Sequence, residues 1–207
     1  MSKGEEMAFV EWLNLRPALV RAAEVGAGHV PGAVSGSFLR RLKSEVQAGP
    51  RRKFRETFGQ VRQQIEGYDV DEPFDGYLAI AELCEELRAL VRSQGAGIRG
   101  LATWVPNEAG VAIYRPGSIG ITPHLDGKRY RRLVAVLTVW GSARFTVCRT
   151  RAGEVVAAWN AGPGSLTLMR APGLAGRRDG RPFHMVSGPR GSERCSLGIR
   201  MSVPQPS

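Results

Sequence analysis

Apolar residues recur at helical spacing through the first half of the chain, then give way to short strand-length runs. The first segment, "EMAFVEWLNLRPALVRAAEVGAG", predicts a helix that stops at Gly26. The preceding "SKGE" resembles a capping box, and Pro17 inside the run is placed to kink or split the helix. "VPGAVS" is a turn. "SGSFLRRLKSEVQAGP" then predicts a second helix, with Phe38, Leu39, Leu42 and Val46 on one face and Gly49-Pro50 as its stop. A third helix follows in "PFDGYLAIAELCEELRALVRSQGAG", striped by Leu83, Leu87, Leu90 and Val91. The intervening "PRRKFRETFGQVRQQIEGYDVDE" is basic and aromatic, with no assignable period.

From about Ile98 the texture changes. "GVAIYRPG", "ITPHLD", "LVAVLTVWG", "ARFTVCRT", "EVVAAWNAGPG", "SLTLMRAPG", "PFHMVSG" and "CSLGIRMSV" read as strands separated by Gly/Pro turns, at sandwich or barrel spacing. Helices first and strands second, without βα alternation, predict an α+β fold.

Composition narrows the class. A chain of 207 residues, 43% hydrophobic and 23% charged, suits one domain, alone or with a helical extension. Three cysteines, Cys84, Cys148 and Cys195, without CxxC spacing argue against a disulfide framework or a zinc finger and favour a reducing cytoplasm. Glutamates near the N-terminus and the lack of a long apolar run predict no signal peptide and no membrane span. The net charge of +10 favours a polyanionic partner or an anionic substrate, with a solubility surplus as the alternative. Oligomeric state is left open.

The candidate chemistry starts at "ITPHLDGKRY". His124 is one of three histidines, and Asp126, two residues on, shares its face if the strand continues. His184 is the only other histidine in the strand region. Two histidines and a carboxylate make the facial triad of non-haem Fe(II) oxygenases, and zinc suits the same donors. A pair of hydrogen-bonded core histidines is the bland alternative. In "RCSLGIR", Arg194, Ser196, Gly198 and Arg200 alternate onto one strand face. Two arginines turned into a barrel interior are costly unless they meet anions, and a dicarboxylate cosubstrate would supply them. Tyr114, across the Pro116-Gly117 turn from the His124 strand, is placed to bond the same carboxylate. His29 reads as a surface loop histidine, and Trp104, Trp140 and Trp159 as core or rim packing. Cys148 and Cys195 read as buried.

Tyr-x-Pro-Gly, then H-x-D, a distant His and R-x5-R resemble the AlkB-like branch of the Fe(II)/2-oxoglutarate-dependent dioxygenases. The likeness runs from about Val30 to Met201, with its specific motifs between Tyr114 and Arg200. It implies a double-stranded β-helix (jelly-roll) core over residues 98–203, and a helical N-terminal extension with lid elements over residues 1–97. It implies His124, Asp126 and His184 as iron ligands, and Arg194 as the partner of the distal 2-oxoglutarate carboxylate. Arg200 would lie near the C1 carboxylate and Asp126, with Tyr114 and Ser196 also at the cosubstrate. The implied activity consumes 2-oxoglutarate and O₂ to hydroxylate a substrate C–H bond, an alkylated nucleobase being the family's substrate. Hydroxylation of a metabolite or protein side chain is the alternative, and a non-catalytic nucleic-acid-binding module is a rival of another class. For nucleic acid, Lys128, Arg129, Arg131 and Arg132 would border the mouth. Three positions depart from the repair members' pattern: Ala112 and Ser196 replace asparagines, and Gly127-Lys128 stand where an acidic base-reading residue is common.

Overall fold

The computed structural model describes residues 7–204. The "SKGE" box lies outside them. Helix α1 (Arg16–Val25) is shorter than the apolar pattern predicted, because Pro17 sits in its first turn. There the missing N–H costs nothing, so the proline starts the helix rather than kinking it. Gly26 ends α1 at φ 106°, its N–H bonding to Ala22 O at 3.2 Å. The residues ahead of α1 run irregularly, and Phe9 bridges to Val34.

Strand β1 (Ala27–Val30) follows α1 directly. A Cβ on Gly28 would lie 2.2 Å from Ala18 O, so only glycine lets α1 pack this closely on β1. Helix α2 (Gly36–Ala48) starts at Ser35, whose hydroxyl accepts from Phe38 N, and stops at Gly49. It buries Phe38, Leu42 and Val46 of the stripe expected from spacing, with Leu39 partly buried against the same core. Helix α3 (Leu78–Gln94) buries Ile80, Leu83, Leu87 and Val91.

The first half is not wholly helical. Between α2 and α3 lie four strands: β2 (Arg52–Lys53), β3 (Thr57–Phe58), β4 (Val61–Arg62) and β5 (Glu66–Asp71). Strands β3 and β4 form a two-stranded hairpin. The eight remaining strands fall in the eight runs named above: β6 (Glu108–Tyr114), β7 (Ile121–His124), β8 (Tyr130–Trp140), β9 (Ala143–Cys148), β10 (Val155–Ala161), β11 (Leu166–Arg170), β12 (Phe183–Val186) and β13 (Arg194–Ser202).

Seven strands form one sheet in the order β1-β11-β8-β13-β6-β5-β2, and four form a second in the order β10-β9-β12-β7. Every pairing within the two sheets is antiparallel. The larger sheet turns one face to the helices. Leu133, Leu137, Leu168, Leu197 and Ile199 there join Leu19, Phe38, Leu42 and Leu87 in the main core. Its other face meets the smaller sheet around Tyr114, Tyr130, Val134, Phe145, Val147, Met169 and Val186. The α+β class expected from the texture of the chain and the jelly-roll core implied by the resemblance are both present. Cys84, Cys148 and Cys195 are free thiols, all buried. Among the described residues no helix is long and apolar enough to cross a membrane.

Candidate metal centre

The smaller sheet sets the two histidines face to face. His124 ends β7, and β12 pairs antiparallel with it so that His184 is its direct partner. The ring centroids are 4.2 Å apart. Strand β7 stops at His124, so Asp126 lies in the following loop rather than on the strand. It still reaches the same place: the nearest ligand atoms of His124, Asp126 and His184 lie within 4.8 Å of one another. His184 Nε2 is 3.8 Å from Asp126 Oδ1.

Backbone carbonyls orient both imidazoles. His124 Nδ1 lies 2.9 Å from Thr122 O, and His184 Nδ1 lies 3.2 Å from Pro182 O. Each contact favours the proton on Nδ1 and leaves the Nε2 lone pair free for a metal. Burial, followed by the neighbouring His184, lowers the pKa of His124 to about 4, against the opposing pull of Asp126. The imidazole is therefore neutral near pH 7, the form a metal requires. His184 is buried and stacks on Phe145 at 5.5 Å. Phe145 stacks in turn on Trp159 at 5.2 Å, and Trp159 on His29 at 5.1 Å. His29 is thus not a loop residue: it lies on β1, where burial lowers its pKa. Trp104 is core, its indole N–H donating to Leu133 O.

Across the interior, Tyr114 at the end of β6 pairs with Arg194 at the start of β13. Arg194 is 1% exposed. Its guanidinium meets only neutral groups: Ser196 Oγ at 3.3 Å, Thr138 Oγ1 at 3.2 Å and the Tyr114 ring at 5.2 Å to the centroid. Its Nε has no partner. Burial drives its pKa down and that of Tyr114 up. Thr138 went unnoticed in the sequence, although it shares the inner-face period of Val134 and Val136 on β8.

Arg200 differs. It sits opposite Glu108 on β6, bonds its carboxylate at 2.9 Å and Asp69 at 3.4 Å, and lies over the Tyr130 ring. Of the two arginines expected to need an anion, Arg194 therefore meets hydroxyls and Arg200 meets carboxylates within the protein. Gly110 and Gly198 make this possible, since a Cβ on either would fall within 3 Å of the Arg200 guanidinium. Of the cations that follow the metal strand, Arg129 pairs with Glu108 at 3.0 Å, and Arg132 donates to Gly173 O. Arg131 bonds the carbonyl of the exposed Lys128.

No family model matches the chain, and no curated protein matches it. Solved structures do. A Pseudomonas putida prolyl-4-hydroxylase is 21% identical, covers 92% of this chain and 100% of its own, and has a TM-score of 0.59. A Burkholderia pseudomallei oxidoreductase of the 2OG-Fe(II) oxygenase family is 15% identical, covers 95% of both chains and has a TM-score of 0.68. The chain has the 2OG-Fe(II) oxygenase fold. A Trichoplax adhaerens prolyl hydroxylase in complex with a hypoxia-inducible-factor peptide has the same fold at 13% identity, with 89% and 87% coverage and a TM-score of 0.63. Within this oxygenase fold the His-Asp-His cluster and the buried Arg194 face one shared interior, linked through Phe145 and Tyr114.

Proposed function

We propose that this protein is an Fe(II)- and 2-oxoglutarate-dependent dioxygenase that hydroxylates a substrate C–H bond. The observation that carries the reading is Arg194. A guanidinium so deeply buried, with only hydroxyl partners and an orphaned Nε, is a strong site for a carboxylate. The donor set fits iron equally well, since two neutral imidazoles and one carboxylate leave open positions for cosubstrate and O₂. The bound iron would couple O₂ to 2-oxoglutarate, one oxygen atom passing into succinate with loss of CO₂ and the other into the substrate C–H bond.

The chain's own tasks follow from its residues. His124, Asp126 and His184 would hold the metal, with the Thr122 and Pro182 carbonyls fixing both rings. Arg194 would hold the distal carboxylate, with Tyr114, Ser196 and Thr138 around it. Arg200 would face the C1 carboxylate, kept in place by Glu108. The β3–β4 hairpin would act as a lid: Gln63 bridges to Ile121, and Arg62 N donates to Thr122 Oγ1, which ties it to the metal strand.

For substrate we read an alkylated nucleobase. The AlkB-like motif order supports this, as do the surplus positive charge and the exposed Lys128 beside the Asp126 loop. Hydroxylation of an N-methyl group would release formaldehyde. Arg129, Arg131 and Arg132 each have an internal partner, which leaves the exposed Lys128 as the better phosphate contact, with Arg131 tied to its carbonyl beside it. The likeness to two prolyl hydroxylases supports a second reading, hydroxylation of a protein side chain. Incubation with Fe(II), 2-oxoglutarate and either methylated single-stranded oligonucleotides or proline-containing peptides separates the two. Mass spectrometry would register methyl loss in the first case and oxygen gain in the second. An absence of succinate under all conditions would defeat the oxygenase reading.

A further inference from the structure

His124 and His184 are fixed by the sheet, but Asp126 is not. It lies in the loop after β7, and its carboxylate direction depends on what holds that loop. Its backbone carbonyl accepts from Arg181 Nη1. Arg181 is almost buried, at 9% side-chain exposure, although it belongs to a run that looks like a solvated turn, "GRRDGRPF". Its Nε and Nη2 grip Asp179 in a fork, at 2.9 and 2.8 Å. Asp179 Oδ1 also accepts from Gly180 N at 2.7 Å and Arg181 N at 3.2 Å. These bonds, those from the Arg181 side chain foremost, hold the Asp179 carboxyl far below its usual range.

The support continues outward. Gly180 O accepts from Arg170 Nε at 2.6 Å, and Arg170 Nη1 donates to Ala23 O in the last turn of α1 at 2.9 Å. A chain of hydrogen bonds therefore runs from α1 through Arg170 and the Asp179–Arg181 fork to the loop carrying Asp126. All five N–H donors of a guanidinium lie in one plane, so a fork that fixes one edge aims the other.

We propose that Arg181, held by Asp179, is a positioning residue that sets Asp126 toward the two histidines. The proposal rests on the metal reading above. It is tested by binding Mn(II) to the intact protein without O₂ or substrate, followed by calorimetry and by the Mn(II) resonance spectrum. Removing an outer partner of a ligand typically weakens a metal by about 10–100-fold. Arg181→Ala is expected to lose affinity in that range with a broadened, less uniform spectrum. Arg181→Lys should recover part of the loss, because it reaches the carbonyl but cannot form the fork. Asp179→Asn, a change at a half-exposed carboxylate, should show an intermediate loss with the fold intact by circular dichroism. It decides the matter if Arg181→Ala fails to fold. Wild-type affinity in both Arg181→Ala and Asp179→Asn, or in Asp179→Asn alone when Arg181→Ala is unfolded, overturns the positioning role and leaves the metal site standing. If wild-type protein does not bind Mn(II), or binds it unchanged after His124→Ala, the metal reading falls and the positioning role falls with it.

Discussion

Replacing Arg194 by methionine separates a binding role from a structural one, because the two predict opposite signs. Methionine keeps the length and apolar stem but removes the guanidinium. In the ligand-free protein that guanidinium has two neutral hydroxyl partners, each contributing about 1 kcal/mol, set against burial of a full charge that costs several kcal/mol. Stability of the ligand-free Arg194→Met protein is therefore expected to be unchanged or higher. Binding is expected to move the other way. Loss of a buried charge-assisted contact costs about 2–5 kcal/mol, which is roughly thirty-fold or more in affinity. Calorimetric titration with 2-oxoglutarate, using Mn(II) and no O₂, measures the second effect, and urea unfolding measures the first. Arg194→Lys should recover only part of the affinity, since a point charge does not reproduce the fork. Affinity within about two-fold of wild type would refute the cosubstrate role. So would a ligand-free protein destabilised by several kcal/mol, which would assign Arg194 to the framework instead.

Four further outcomes are expected. His124→Ala, Asp126→Ala and His184→Ala should each abolish Mn(II) binding in calorimetry and succinate production in a coupled assay. His124, titrated by NMR in the metal-free protein, should change protonation near pH 4 rather than 6.5. Because its folded pKa is lowered, the unfolded chain binds more protons between those values, so its contribution to stability is intact above 6.5 and is lost as pH falls through that window. Gly28→Ala should lower stability by about 1–3 kcal/mol in thermal unfolding, since the new Cβ meets the backbone of α1 rather than a movable side chain. Lys128→Glu with Arg131→Glu should flatten the log–log salt dependence of oligonucleotide binding, while leaving uncoupled succinate formation in place.

The second half of the chain was legible because its strands are long enough to alternate and are bounded by Gly/Pro turns. Strand β8 shows this, with Val134, Val136 and Thr138 facing one side and Leu133, Leu137 and Val139 the other. Residues 51–71 were not legible for a matching reason. Strands β2, β3 and β4 have two residues each, nearly all exposed, so no period could develop. Strand β5 owes its form to β6, some forty residues further along the chain. The candidate ligands could be read because histidine is scarce. The partner of Arg200 could not, because Glu108 precedes it by 92 residues and meets it only through the sheet. Arg181 and Asp179 carried no signal in the sequence, since composition alone does not distinguish a solvated charge from one held in a fork.

The sheet order carries a consequence for biosynthesis. Among the described strands β12 and β13 are synthesised last, yet neither is at an edge: β12 lies between β9 and β7, and β13 between β8 and β6. Until they arrive, β6, β7, β8 and β9 each present an unsatisfied row of backbone donors and acceptors, the usual template for misassociation. Closure of both sheets thus waits for residues 183–202 to be translated. A nascent chain halted before residue 183 would have His124 and Asp126 but neither His184 nor Arg194. Its acquisition of metal would have to wait for β12 and β13, and chaperone demand would peak just before those two strands emerge.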